Sequence, residues 1–569
     1  MQALSHGSVL PHVILSCLLI SWTEQENKAT MVHYGRASTI WPRTLEILDQ
    51  LDLAEGLLQI GFATRDALHF RDGHRIVGGF LFATRMDKLG VFPTVTFLQI
   101  RQRRTEEHFT AALKDQGTHQ HIRTRLESFT LEESAENGYP VTVQARNLDN
   151  NELFEIKTKY LIGADGAHST VRSLAGIAFN GERTTTRWIR IDGVVKTTMP
   201  NPRCLCSIDS KSHGQILWVP LDNGVTRIGY VFSQELLEKY GGLEGVTEKV
   251  VEEEAILALQ PFKLEFLAIH WFTTYGVKQA IAEKFFVQDR IFLAGDACHT
   301  HSSGAAQGLN TGIHECLNLR GLGRKSLLES YNEERKPSAQ KASSYFNLNR
   351  VIDNDKTISM LISGKYPPRF QGRTEHPRYD FIVLPMSENI LLCTRDILTE
   401  NFLNAEGTST IMPGERGPDV YLTCVGIATP IRLHQVLKNE GKFNIVVFAG
   451  NPLLSHAALE GLNSALAAPT SFTRTFPAER VFRFTTLTAA AGDGVTDVLG
   501  VPPFGGGCLY FDAESRAHAM YGVEVNRGAI VVFRPDGWVG CVVPLEKVDQ
   551  LGNYFGHFLV PVSGTPSRP

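Results

Sequence analysis

The sequence predicts an α/β fold with a strand-rich insertion, and three observations carry that expectation. Two short apolar runs, Tyr160-Leu-Ile-Gly163 and Arg290-Ile-Phe-Leu-Ala294, each lead into an aspartate beside glycine and then into a helical pattern. That succession is the strand–loop–helix unit of α/β domains. Residues 181–274 lie between them and alternate with period two, as in Trp188-Ile-Arg-Ile-Asp-Gly-Val-Val195, Ile216-Leu-Trp-Val219 and Val225-Thr-Arg-Ile-Gly-Tyr-Val-Phe232. Such β-branched alternation predicts a mixed sheet. Past residue 365, Pro367, Pro368, Gly372 and Pro377 mark a linker before a second α/β pattern.

Length and composition bound the classes. A chain of 569 residues holds two or three domains with their own cores. Its 43% hydrophobic and 20% charged content is that of a globular protein, and a net charge of −4 gives no reason to expect nucleic acid or an anionic membrane. The nine cysteines are scattered, and the close pair Cys204-x-Cys206 lacks the second half of a zinc site. Reduced thiols and no metal are expected, in a cytoplasmic setting. Val13 to Ile20 is apolar but too short to span a bilayer, and no Lys or Arg precedes it. It is expected to be a buried strand.

The second unit is the more informative. Gly295-Asp296 ends its strand and sets a carboxylate just past the C-terminal edge, where open α/β sheets bind ligands. After a loop of small residues, Gly308-Leu-Asn-Thr-Gly312 can open a helix whose first N–H groups lack intrahelical partners. One carboxylate for a polyol hydroxyl and one helix start for an electron-rich ring suit a flavin. The first unit, Gly163-Ala-Asp-Gly166, is followed by Ser169 and Arg172 on its helix.

The two stretches, in this order and about this far apart, resemble the flavin-dependent aromatic hydroxylases, the phenol 2-monooxygenase branch of the para-hydroxybenzoate hydroxylase family in particular. The resemblance implies an opening Rossmann unit, and here the fingerprint cannot be assembled, because Gly7 is the only glycine before residue 35. The expectation is an incomplete Rossmann-like FAD-binding domain that lacks about thirty residues of that unit at its start. It would occupy residues 1–180 and 275–365, with the substrate sheet at 181–274 inserted. A linker at 366–400 and a thioredoxin-like α/β domain at 401–569 complete the division. That last domain has no Cys-x-x-Cys after its strand at 444–448, so a dimer contact is expected of it and not redox chemistry.

The resemblance also assigns roles. Glu24 would receive the adenosine ribose, Arg36 the FAD phosphates and Gln102 the adenosine side. Asp165 would touch flavin and nicotinamide nucleotide, Gly295 and Asp296 the ribityl chain, and Gly308, Leu309 and Asn310 the isoalloxazine. Tyr230 would hydrogen-bond the phenol oxygen. Two departures stand out. Ser38-Thr39 replaces an Asp-Gly whose carboxylate helps deprotonate the phenol, and a serine has no pKa suited to that task. An arginine usual near residue 221 is absent, leaving Arg227 as an electrostatic substitute. The helix after Asn310 is expected to lose roughly two turns before Arg320-Gly-Leu-Gly323. The implied reaction is NADPH-driven hydroxylation by O2 of a phenolic substrate, through a flavin C4a-hydroperoxide and ortho to the hydroxyl, in natural-product biosynthesis or aromatic catabolism. A flavin-free scaffold protein is the alternative.

Overall fold

The computed structural model describes residues 19–20, 35–65, 67–76, 97–118, 120–132, 138–300, 306–318, 325–347, 409–425, 428–490 and 509–561. Glu24 and the linker at 366–400 lie outside them, as does most of the strand expected at Val13 to Ile20. Its last two residues, Leu19–Ile20, form a strand parallel to Gln120–His121. Among the described residues no helix is long and apolar enough to cross a membrane.

The two predicted units meet. Leu161–Gly163 pairs in parallel with Ile291–Leu293, and the Ala294 amide donates to the Gly163 carbonyl at 2.9 Å. Both strands are too short to stand alone. They are held by a core of Val171, Phe285, Phe292, Leu293 and Tyr331, and the Tyr331 hydroxyl donates to the Leu293 carbonyl at 2.6 Å. Helix Gln307–Asn318 follows the second unit and runs to the end of the described segment. His314 and Glu315 on this helix are buried, and residues 319–324, where the loss of two turns is expected, lie outside the described residues.

The inserted sheet has eight strands, and two of them, Phe179–Thr197 and Leu264–Ala282, are 19 residues long. It recruits Ala67–Arg71, parallel to Leu205–Ser210, and so reaches beyond the 181–274 expected from the alternation. One face packs on helix Glu248–Ala258 through Ile189, Ile191, Ile228, Tyr230 and Val251. The opposite face turns toward the Gly35–Arg36 loop.

The C-terminal part is a mixed seven-stranded sheet with a core on each face. Its centre is parallel, Phe443–Gly450 beside Phe482–Thr488, and Ala529–Phe533 flanks it antiparallel. Its Pro535-Asp536-Gly537 hairpin turn lies on helix Pro42–Gln50, where the Gly537 carbonyl accepts from Arg43 Nη2 at 2.9 Å. Gly537 has φ +81°, and a Cβ there would come within 3.1 Å of that nitrogen. Glycine is thus required twice, by the turn and by the close approach.

Candidate active site

The site is built where the Gly-Asp turn, the helix after it and the Gly35–Arg36 loop converge. Gly295 adopts φ +61°, and Gly312 allows helix Gln307–Asn318 close to it: a Cβ on Gly312 would sit 3.4 Å from the Gly295 Cα. Glu315, one turn further along the helix, holds the turn from below. Its Oε2 accepts from the Gly295 amide at 2.7 Å, and its Oε1 meets His299 Nε2 at 2.7 Å, with both side chains buried. Burial opposes charge on each, yet the pair outweighs it, so the Glu315 pKa is lowered and that of His299 raised.

Asp296 is exposed, yet the protein around it raises its pKa, with Glu315 adding to the rise and His299 and Arg36 opposing it. Arg36 stands opposite. Its backbone is left-handed, φ +56°, because its carbonyl accepts from Arg227 Nη1 at 2.6 Å. Arg227 is itself held by Asp192 through Nε at 2.7 Å and Nη2 at 2.9 Å, and Asp192 also accepts from the Gly35 amide at 3.2 Å. Gly35, at φ +88°, lies so close to Trp271 that a Cβ would approach its ring to 2.6 Å. The expected free charge of Arg227 is therefore spent within the fold, fixing the loop to the sheet. Gln102 completes this corner, accepting from the Ala37 amide at 3.2 Å and donating to Glu106 at 2.7 Å. Glu106 lies 3.8 Å from the Arg36 guanidinium.

Four of the expected contact residues have partners within the fold, and for Tyr230 burial rules the expected role out. Tyr230 lies on the sheet face covered by helix Glu248–Ala258, where its hydroxyl donates to the Val251 carbonyl at 2.8 Å. It is fully buried, and burial pushes its pKa far up. The strand's period of two puts it on the face away from the loop, so it is a packing residue. Asp165 caps helix Thr170–Leu174: its carboxylate accepts from the Ser169 hydroxyl, and from the Thr170 and Val171 amides at 2.7 and 3.1 Å. Asn310 is a latch, its Oδ1 accepting from the Trp41 amide at 2.8 Å and its Nδ2 donating to the Thr39 and Ala306 carbonyls. Leu309 packs against the core of helix Pro42–Gln50. Gly308 remains in the first turn of the motif helix, half-buried.

Sequence reasoning missed what faces the site from the sheet. Trp188, Arg190 and Asp192 alternate with Ile189 and Ile191 and point to the loop side, together with Trp271, Thr273 and Tyr275 of the paired strand. The Arg190 guanidinium lies 4.9 Å from the Tyr275 ring centroid and is hydrogen-bonded to its hydroxyl. The alternation in Trp188-Ile-Arg-Ile-Asp192 could have separated the two faces. Two buried clusters, Cys298–His299–Glu315 and Glu46–Asp419–His434, have metal-ligand residue types. Their carboxylates are already held by His299 and Gly295 in the first and by arginines in the second, which does not suit a cation.

A family model for an FAD binding domain matches residues 19–344, and one for the phenol hydroxylase C-terminal dimerisation domain matches residues 394–563. The chain belongs to the FAD-dependent aromatic hydroxylases. A phenol 2-monooxygenase of Aspergillus fumigatus is 24% identical over 94% of this chain and 91% of its own. A 3-hydroxybenzoate 4-monooxygenase of Comamonas testosteroni is 26% identical over 94% and 90%. The fold matches the flavin-dependent monooxygenase PieE, solved with FAD and substrate, with a TM-score of 0.65 at 16% identity over 95% of this chain and 94% of that one. It also matches aklavinone-11 hydroxylase, solved with FAD and aklavinone, with a TM-score of 0.64 at 16% identity over 94% and 93%. The hydroxylase is thus a flavin monooxygenase with FAD as its cofactor. Its residues suit that group: an exposed carboxylate on the turn packed against helix Gln307–Asn318, with the Arg36 cation acting on it.

Proposed function

We propose that the protein hydroxylates a phenolic aromatic ring ortho to its hydroxyl, using NADPH and O2, in natural-product biosynthesis or aromatic catabolism. The observation that supports this most is the exposed Asp296 carboxylate on the turn packed against helix Gln307–Asn318, within the reach of the Arg36 charge. Asp296 would take the ribityl hydroxyls, the first amides of that helix the ring carbonyl, and Arg36 and Gln102 the phosphate and adenosine side. FAD, when bound, supplies the reductive activation of oxygen.

The chain's own groups do the remaining work. Trp271 and Tyr275, both half-buried, offer flat apolar surface against which an aromatic ring can lie, and they exclude water from it. Tyr275 replaces Tyr230 as the partner of the substrate hydroxyl. Its oxygen accepts from Arg190, and its O–H would donate to the substrate. Ser38 is nearly buried and its carbonyl accepts from Ile100, so it supplies no base. The phenol proton must leave by another route, through Tyr275 or solvent.

The C-terminal part carries a parallel strand pair, a helix opened by Asn451-Pro452 and an antiparallel hairpin, which supports the thioredoxin-like reading. It presents Leu453 and Leu454 where a dithiol would stand, and a homodimer contact is its proposed role. The test is to load the protein with FAD, confirmed by its visible absorbance, and follow NADPH oxidation with a panel of phenols, measuring hydroxylated product and hydrogen peroxide separately. A ring gaining one oxygen beside its hydroxyl supports the reading. Peroxide alone with every phenol refutes it.

A further inference from the structure

Helix Pro42–Gln50 has nine residues, too few for a helix to stand on its own, and its polar side is buried like its apolar one. The C-terminal part supplies what it lacks. The Asn439 amide donates to the Gln50 carbonyl at 2.9 Å, and Gln50 is at the end of the helix, where carbonyls have no intrahelical partner. Arg416 pairs with Glu46, Arg432 with Asp49, and the Gly537 carbonyl accepts from Arg43 Nη2 at 2.9 Å. Residues 43, 46, 49 and 50 share one side of the helix.

The opposite side seats the motif helix. Trp41, Thr44, Leu45 and Leu48 lie there, and Leu309, Asn310, Ile313 and His314 of helix Gln307–Asn318 meet them. Leu309 and Ile313 pack into the core of Leu45 and Leu48. Asn310 Oδ1 accepts from the Trp41 amide at 2.8 Å, and His314 Nε2 lies 3.0 Å from the Thr44 hydroxyl. Burial holds His314 well below its usual pKa, with Arg335 and Arg43 adding to the effect, so the imidazole is neutral. Gly312 and Glu315, on the adjoining face, carry the Gly295–Asp296 turn. That turn is thus fixed, through one short helix, to a sheet near the other end of the chain.

We propose that the C-terminal part is a positioning element of the flavin site, acting through helix Pro42–Gln50, and that the Thr44–His314 hydrogen bond is the joint by which it sets the motif helix. This goes beyond the dimer contact given to that part above. Thr44 and His314 are positioning residues, acting on the cofactor through the turn that Gly312 and Glu315 hold.

Backbone hydrogen exchange on the full chain tests this, together with fluorescence titration by FAD. Thr44→Val keeps the side chain's shape and strands a buried imidazole nitrogen. It should lower both amide protection in helix Gln307–Asn318 and affinity for FAD about tenfold, while strand Phe443–Gly450 keeps its protection. Thr44→Ser restores the hydroxyl and should bring both readings to within about twofold of the wild type. Gly537→Ala acts from the other side, because its Cβ would press on Gln50 Oε1 at 3.0 Å and Arg43 Nη2 at 3.1 Å. It should lower the same two readings about threefold or more. Arg516→Gln, in an exposed pair with Glu514, is the control and should move neither. Losses spread evenly over the chain, an equal fall in Thr44→Ser, or a motif helix that exchanges in Gly537→Ala as in the wild type would each overturn the proposal. A Thr44→Val chain that does not fold leaves the decision to Gly537→Ala. Exchange needs no flavin, so a wild type that takes up no FAD would count against the cofactor, and the motif helix alone would then decide the proposal.

Discussion

Glu46 and Arg416 are 370 residues apart in the chain and form a buried ion pair, Nε to Oε2 at 2.7 Å with a second contact from Nη2. The pair joins the C-terminal sheet to helix Pro42–Gln50, and Arg43, 3.1 Å from Glu46, closes the group by stacking 5.0 Å from the Trp538 ring. Arg432 bridges Asp419 and Asp49 beside it, and Arg534 reaches Glu334 at 2.8 Å. The same helix that packs Leu45 and Leu48 under the motif helix thus carries the second domain on its polar side.

Glu46→Gln should therefore destabilise the whole chain. Removing one partner of a buried pair strands the other charge, which costs about 3–5 kcal/mol. Urea unfolding of the wild type and the variant measures it, and a difference below about 1 kcal/mol would mean that water reaches Arg416. Part of the effect should disappear in the double variant Glu46→Gln, Arg416→Met, because Arg43 is then the one guanidinium of the group that has lost its Glu46 partner.

Acid should loosen the same junction. Burial alone would raise the Glu46 pKa, but Arg416, His434 and Arg43 overcome it and bring it from 4.5 to about 2. Burial lowers His434 from 6.5 to about 4. Both folded values lie below the unfolded ones, so each group contributes stability that is present above its unfolded pKa and lost as pH falls toward its folded one. The histidine's share fades from about pH 6.5 to 4 and the glutamate's from about 4.5 to 2. Melting temperature followed from pH 7 to pH 3.5 should fall throughout, and His434→Asn should flatten the upper part of that profile. An unchanged slope in the variant would remove His434 from the account.

Two tyrosines should separate cleanly. Tyr275→Phe is expected to lower product formation about a hundredfold and raise peroxide release, since a positioned proton-transfer partner is lost. Tyr230→Phe should leave coupling alone and cost about 1 kcal/mol of stability, for the bond to Val251. Product, peroxide and melting temperature on both variants decide it. The reverse pattern would return the role to Tyr230.

Glu315→Gln should weaken cofactor retention without touching the cofactor. Its amide nitrogen would face either the Gly295 N–H or His299, so one of the two bonds that shape the turn is lost. FAD affinity should fall about tenfold, roughly 1.4 kcal/mol, while Glu315→Asp, which keeps the charge on a shorter arm, should fall less. Fluorescence titration with FAD reads this directly. Equal losses in both variants would indicate a packing defect.

The sequence by itself determined the two strand–loop–helix units, the alternating sheet between them, the second α/β pattern in the C-terminal part and the family they resemble. These are local signals: an apolar run of strand length, a glycine-flanked carboxylate, a period of two. It also brought Asp296, Arg36 and Gln102 to one corner through the order of motifs. Only the tertiary structure decided what each polar side chain does once it arrives. Tyr230 and Arg190 are both polar residues on strands of one sheet, and the covering helix Glu248–Ala258 makes one a core residue and leaves the other at the site. Asp165 and Asp296 follow similar strands, yet the Ser169 hydroxyl and the Thr170 and Val171 amides occupy the first, while the second stays exposed. Glu46 belongs to an amphipathic helix whose polar face should be solvated, and a domain 370 residues away buries it. Each of these outcomes depends on which distant surface covers a face, and no local spacing encodes that choice.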